Sequence, residues 1–230
     1  MAILIIWEMA SVAINKSVLL PSPLAVLEKM AELIGSPSFY VSLMATLYRV
    51  AIAFICALAI GSVLGLIAGY NKNVREYLDP LIKIFQTVPQ VSYILIIIVW
   101  FSSFTSLLLI ILMMTLPIFY YNMLNGYLAI ESEYLDVARL FGSSRFSNLH
   151  LVVIPLLKSN FLAAINSALP LSIKIAVMAE IFISSSKGVG SLLYLARINL
   201  DMASILALTI WMIIIIAIPT NLIGYCMDRN

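Results

Sequence analysis

Charged side chains are scarce in this chain. Only 10% of its 230 residues are charged, whereas 63% are hydrophobic and the mean hydropathy is +1.09. A soluble domain of this length could not cover so much apolar surface, so we predict that a lipid bilayer is the solvent for most of the chain. The net charge of +2 is too small to indicate a nucleic-acid partner.

Cysteine and histidine are also nearly absent. The two cysteines, Cys56 and Cys226, lie inside apolar runs, which predicts buried reduced thiols and no disulfide framework. The single histidine, His150, has no neighbouring Cys or second His, so we expect no metal site. The first apolar run, 1–14, lacks the basic flank and small-residue cleavage site of a signal peptide.

Long apolar runs are what the sequence has in abundance. A first run is short and carries Glu8, and we count it as a helix; five others are long enough to span a bilayer. The sequence therefore predicts an all-α, polytopic membrane protein, a single domain over 1–230 with about six transmembrane helices. The five long runs are 42–70, 81–101, 106–128, 156–183 and 203–226.

The basic residues indicate an orientation. With the segment 129–157 placed in the cytoplasm, most Lys and Arg side chains fall on that side of the cell membrane, and both termini are predicted to be cytoplasmic. The segment 20–40 is then external, and its apolar residues at helical spacing predict an amphipathic helix along the outer surface. The cytoplasmic set is Lys72, Arg75, Lys83, Arg139, Arg145, Lys158 and Arg229, and the external set is Lys16, Lys29, Lys187 and Arg197.

Small residues recur every four positions along one predicted helix, at Ala53, Ala57, Gly61, Gly65 and Gly69. Small side chains at this interval let two helix backbones approach closely in lipid. The stripe predicts packing either against another helix of the same chain or against a second subunit, and both remain open from the sequence.

Polar residues inside the spans are candidates for a translocation pathway. Gln86 and Gln90 share a helix face beside Pro89, which frees a backbone carbonyl, although a kink that only shapes the bundle explains Pro89 equally. In the span 156–183, Lys174 lies deep with Ser172 beside it, and Glu180 lies near the outer end. Charges at such depth face a cavity or a partner, so a structural ion pair and a solute contact are both open. We expect the Arg49 side chain to extend to the interface from an outer helix end.

The segment 129–157 is the longest polar interruption between spans. Its first part, 131–141, favours a helix that Gly142 can end, and Ser143 or Ser144 can cap a second helix that carries Phe146 and ends before Pro155. A segment this long between spans is unusual as a simple loop, and it predicts a surface on which a partner docks.

The same segment carries a family resemblance. It is similar to the E-A-A-x3-G-x9-I-x-L-P loop in the membrane subunits of binding-protein-dependent ABC importers, with Ala138, Gly142 and Pro155 matching outright. The other positions are conservative departures: Asp136, Val137, Val152 and Ile154. More of the chain resembles permeases of the nitrate/sulfonate/taurine/bicarbonate class, through L-P-S-P at 20–23, the glycines at 61, 65 and 69, D-P at 79–80, Q-T-x-P at 86–89, A-E at 179–180 and G-x-G at 188–190.

This resemblance implies a type I ABC importer permease that moves a small solute by ATP-driven alternating access. It implies two ATPase subunits inside, an extracytoplasmic solute-binding protein outside, and a second copy of the permease. ATP would be bound by the partner subunits, since the chain has no G-x4-G-K-[ST] phosphate loop and needs no cofactor of its own. The ATPase-docking residues it implies are Asp136, Ala138, Arg139, Gly142, Ser143, Phe146 and Pro155.

Two other functions remain alternatives. A secondary transporter or channel subunit would need coupling-ion carboxylates at mid-membrane and commonly has an internal repeat, and neither is evident in the sequence. A membrane scaffold has no use for a docking loop or a kinked polar path. The solute cannot be read from the sequence, although the position of Lys174 favours an anion.

Overall fold

The computed structural model describes residues 2–130, 152–183 and 187–228, and every regular element in these ranges is a helix. A short helical turn, Ile154–Leu156, lies just before the helix that begins at Lys158. In chain order the helices are α1 (Ala2–Ile14), α2 (Pro23–Gly35), α3 (Pro37–Tyr70), α4 (Lys72–Thr87), α5 (Gln90–Trp100), α6 (Ser103–Leu128), α7 (Lys158–Ile183), α8 (Val189–Ile198) and α9 (Met202–Asp228).

Four of the described helices, α3, α6, α7 and α9, are long and apolar enough to cross a membrane. The bent pair α4–α5 adds a fifth crossing if the two helices are counted as one span. The predicted all-α polytopic class is confirmed, with fewer spans among the described residues than the six expected. The difference is α1, whose 13 residues extend only about 20 Å, short of the roughly 30 Å hydrocarbon core.

The apolar run 81–101 is not one straight helix. α4 ends at Thr87, α5 begins at Gln90, and the two axes are bent by 96°. Pro89 lies at the bend as the residue before α5. Proline has no N–H to donate and disfavours helical backbone in the residue before it, so Val88 adopts an extended conformation and the helix ends there.

The centre of the bundle is the contact between α3 and α6. A Cβ added at Gly61 would lie 2.8 Å from both the carbonyl oxygen of Leu116 and the Cβ of Phe119, and one added at Gly69 would lie 2.7 Å from the ring of Tyr127. Only glycine permits this approach. The stripe that Ala57 and the three glycines form therefore faces a helix of the same chain, which is one of the two alternatives left open by the sequence.

Helix α7 completes the central layer by packing against α6. Ala164 and Ala168 are fully buried there, and a Cβ at Gly126 would lie 2.6 Å from the side chain of Leu157. Gly126 lies near the end of α6 and Leu157 just before α7, so the end of α6 and the start of α7 lie at the same end of the bundle.

Two indole hydrogen bonds help to hold the outer helices in place. The indole of Trp7 on α1 donates to the carbonyl of Pro21 at 3.0 Å, and the indole of Trp211 on α9 donates to the carbonyl of Met30 on α2 at 3.2 Å. Leu24 and Leu27 of α2 are exposed and Val26 is buried. The first bond joins α1 to the segment before α2, and the second joins α2 to α9 at the periphery of the bundle.

The predicted burial of the Cys56 thiol is wrong. Cys56 is free, but it lies on the exposed surface of α3. An apolar position in a membrane protein can face lipid as well as protein, and hydrophobicity alone does not separate the two.

Candidate functional site

The two glutamines predicted to line a pathway flank the bend between α4 and α5. Both Gln86 and Gln90 are exposed. No hydrogen bond or ion pair among the described residues joins them to the polar side chains of α7. The prediction that the two glutamines share a helix face is wrong, because Gln86 lies on α4 and Gln90 begins α5, and the two axes are bent by 96°.

The polar residues of α7 point in different directions. Ser172 is fully buried and donates a 2.7 Å hydrogen bond to the carbonyl of Leu169 within its own helix. Lys174 is exposed. Two residues along an α-helix are about 200° apart around the axis, which places Lys174 on the side away from Ser172. The pair therefore does not line a common surface in this structure.

Glu180 is the most densely bonded side chain of the predicted set. It is 0% exposed, and its Oε1 lies 2.7 Å from Nη1 of Arg49. The hydroxyl of Thr46 lies 2.9 Å from each carboxylate oxygen, and the backbone N–H of Gly190 donates to Oε2 at 2.9 Å. These donors satisfy a carboxylate that would otherwise be costly to bury.

The same side chains also hold the backbone that precedes α8. Nη1 of Arg49 donates to the carbonyl of Lys187 at 2.7 Å, and the N–H of Val189 donates to the hydroxyl of Thr46 at 2.9 Å. We name the side chains of Thr46, Arg49 and Glu180, with the backbone of 187–190, the Glu180 cluster. It joins three parts of the chain: α3, α7 and the start of α8.

Two glycines make this contact possible. Gly188 has φ +155°, in the region that favours glycine, and a Cβ there would overlap the carboxylate of Glu180. A Cβ at Gly190 would overlap the carbonyl oxygen of Val177. The G-V-G sequence, which indicated only a family resemblance, is therefore a backbone surface fitted to Glu180.

One sequence prediction fails at this cluster. Arg49 does not extend to the interface, because its side chain is 13% exposed and paired with Glu180. For Glu180, the structure contains the structural ion pair, one of the two alternatives that the sequence left open, and the carboxylate is enclosed by protein. The partners are separated by 131 residues, and no local pattern in the sequence could have joined them. The only signal was that both are charges inside apolar runs.

The predicted docking residues fall mainly outside the described residues. Asp136, Ala138, Arg139, Gly142, Ser143 and Phe146 belong to the segment 131–151, which the structure does not describe. Pro155 is described and lies in the short helical turn before α7. Within the described ranges, no group of three or more His, Cys, Asp or Glu side chains could hold a metal ion.

Residues 61–230 match the family described as binding-protein-dependent transport system inner membrane components. The chain belongs to this family. This match confirms, at the level of the family, the resemblance inferred from the segment 129–157.

Relatives of this chain include transport permease proteins from bacteria. The taurine transport system permease protein TauC of Escherichia coli (strain K12) is 28% identical over 191 residues, covering 80% of this chain and 69% of TauC. The transport permease protein SsuC of Bacillus subtilis (strain 168) is 29% identical over 198 residues, covering 85% of this chain and 71% of SsuC.

Solved structures share the fold of this permease. An amino acid ABC transporter chain superposes with a TM-score of 0.69 at 15% identity, covering 87% of this chain and 97% of that one. A chain of the inward-facing MetNI methionine ABC transporter gives 0.64 at 16% identity, covering 84% and 96%. At these identities the likeness concerns the fold alone, and it confirms the predicted type I importer architecture.

Proposed function

We infer that this chain is the transmembrane permease subunit of an ABC importer, moving a small solute that an extracytoplasmic binding protein delivers. The observation that carries this function is the family match over residues 61–230. Movement of solute would follow from alternating access, in which rigid groups of helices rock about a central site. ATP would be bound and hydrolysed by partner subunits.

The segment 129–157 is proposed as the surface that receives the ATPase. Support comes from the spacing of Ala138, Gly142 and Pro155 and from the two described ends of the segment. Those described ends meet where Gly126 approaches Leu157, at one end of the bundle. The residues proposed to contact the ATPase are Asp136, Ala138, Arg139, Gly142, Ser143, Phe146 and Pro155.

The orientation follows from that placement. If the segment 129–157 is cytoplasmic, α7 runs outward and Glu180, 22 residues beyond Lys158, lies roughly 33 Å away at the external end. Helix α9 then returns the C-terminus to the cytoplasm. A cytoplasmic N-terminus requires in addition that α1 crosses the membrane, with help from neighbouring residues or a thinned bilayer.

The partners proposed for the working complex are two ATPase subunits, a solute-binding protein and a second copy of this chain. The glycine stripe of α3 is already filled by α6, so it supplies no subunit contact. A partner copy would need a different surface, and the exposed apolar residues on the outer helices provide ample area for one.

The docking proposal is tested by co-purification. The chain is expressed with the ATPase encoded beside it, and Gly142→Pro and Phe146→Ala are compared with Phe101→Ala, which alters an exposed phenylalanine at the end of α5. We expect the ATPase to co-elute with the unaltered chain and with Phe101→Ala, and to be lost from the other two variants while the helical content is unchanged.

Two results would contradict the proposal. Co-elution that survives both loop substitutions would remove the docking assignment. Uptake of solute into proteoliposomes by the chain alone, without any ATPase, would identify it instead as a secondary transporter or channel subunit.

A further inference from the structure

We propose that Glu180 is a positioning residue that caps helix α8 from across the bundle. Through this cap, α3, α7 and α8 would move as one block during transport. The block motion rests on the proposed importer function, whereas the cap itself is a property of the folded chain and can be tested without a partner.

The start of α8 has no side-chain cap of its own. The residue before it, Gly188, has no side chain, so the first N–H groups of the helix need acceptors from elsewhere. Thr46 accepts from the N–H of Val189 at 2.9 Å, and Glu180 accepts from the N–H of Gly190 at 2.9 Å. A carboxylate is favourable at this position because the N-terminal end of a helix carries partial positive charge.

Arg49 completes the cap in two ways. Its guanidinium neutralises the Glu180 carboxylate at 2.7 Å and also holds the carbonyl of Lys187 at 2.7 Å. The carboxylate is thus surrounded by donors from α3 and from the start of α8. A fully buried and saturated group cannot contact a solute in this conformation, which separates Glu180 from the other predicted pathway residues.

The cluster also explains why the three segments would not move separately. Opening any one of the contacts would leave a buried charge or a helix N-terminus without partners. Sliding α8 along α7 is blocked as well, because the backbone at Gly188 and Gly190 lies directly against Glu180 and Val177. Rigid groups of helices that move about an interface are the usual elements of such transitions.

The test measures the distance between spin labels on α3 and α8. Labels are placed at Met44→Cys and Leu195→Cys, two exposed positions, in the full chain with Cys56→Ser and Cys226→Ser. We expect one narrow distribution of distances for the unaltered cluster. Glu180→Gln, which keeps an acceptor for Gly190, should broaden it slightly, and Glu180→Met should broaden it strongly. Glu32→Met, which breaks the exposed Lys29–Glu32 pair, should leave it unchanged.

A charge exchange distinguishes a cap from a simple ion pair. The double variant Arg49→Glu with Glu180→Arg keeps opposite charges in contact but turns a donor toward the N–H of Gly190, which loses its acceptor. We expect the distribution of label distances in this variant to be as broad as that in Glu180→Met. A narrow distribution of distances in the exchanged variant would overturn the cap. The cap would also be overturned if the distributions of all the Glu180 variants matched that of the unaltered chain.

The block motion is then tested in the complex with ATPase subunits. The distance should be the same without nucleotide and with ATP bound, while solute uptake falls in Glu180→Met and is partly retained in Glu180→Gln. A shift of about 5 Å, one helical turn, between the two nucleotide states would overturn the block motion while leaving the importer function in place. Failure of any ATPase to bind would count against the proposed function and leave the cap result standing.

Discussion

The hydroxyl of Tyr120 on α6 donates a 2.6 Å hydrogen bond to Oδ1 of Asp79 on α4. Tyr120 is fully buried, and Asp79 is half-buried in the first part of the bent pair. This bond joins α4, the helix that precedes the bend, to α6 in the central layer. Its loss should therefore weaken the attachment of α4 to the bundle, which also depends on the buried side chain of Ile82.

We predict that Tyr120→Phe lowers the free energy of unfolding by about 1 to 3 kcal/mol, because a hydrogen bond to a charged group is lost while the ring remains. The measurement is thermal or denaturant unfolding in detergent. Tyr77→Phe on α4 is the matched control, since Tyr77 is 71% exposed. Equal stability of the two variants would contradict the role assigned to the bond.

Substitution of Gly65 tests the contact between α3 and α6. A Cβ at this position would overlap the carbonyl oxygen of Tyr120 and lie 2.9 Å from the Cβ of Met123. Gly65→Ala should therefore destabilise the fold by about 1 to 3 kcal/mol through overpacking. Gly35→Ala is the control, because nothing lies within 4 Å of its added Cβ. If the unfolding curve of Gly65→Ala coincided with that of the control, α3 and α6 would be able to move apart without a loss in the free energy of unfolding.

Asp201 predicts a dependence of stability on pH. It precedes α9 and accepts from the N–H of Ser204 at 3.0 Å and from its hydroxyl at 2.6 Å. Partial burial by itself raises the pKa of Asp201, but the Ser204 hydrogen bonds and nearby Lys29 outweigh it and leave the pKa below its ordinary 3.8. The stabilisation is therefore present above the unfolded-state pKa and is lost as the pH falls through the lower folded-state pKa.

We expect the melting temperature of the unaltered chain to fall between about pH 5 and pH 2 more steeply than that of Asp201→Asn, which retains a capping oxygen but does not titrate. Melting curves across this range provide the measurement. Parallel curves for the two proteins would show that the Asp201 carboxylate contributes nothing to folding.

Lys174 tests the charge of the solute. Its side chain is exposed on α7 in the single chain, which leaves the ammonium open to an anion. Lys174→Met should then weaken transport of an anionic solute by about tenfold or more in KM, the loss expected for one charge-assisted hydrogen bond. Lys16→Met, at another exposed lysine, is the control in the same uptake assay. Unchanged uptake and affinity in Lys174→Met would remove the anion hypothesis.

Parts of the fold and the site were predictable because they depend on local chemistry. Long apolar stretches predict membrane helices, whatever the exact residues at which those helices begin and end. Pro89 predicts an interruption of its helix because it cannot donate a backbone hydrogen bond. The angle of that interruption was not predictable, since it depends on what α4 and α5 pack against. The identity of the helix facing Gly61 and Gly65 was open for the same reason.

The sequence by itself determined that this protein is a bundle of membrane helices in the importer permease family, because hydropathy and motif spacing depend only on the order of residues along the chain. Only the tertiary structure decided that Arg49 pairs with Glu180, that the start of α8 rests on that pair, and that Cys56 faces outward. These facts concern residues far apart in sequence, or the choice between lipid and protein as an apolar neighbour. Both are settled by packing, which hydrophobicity does not specify.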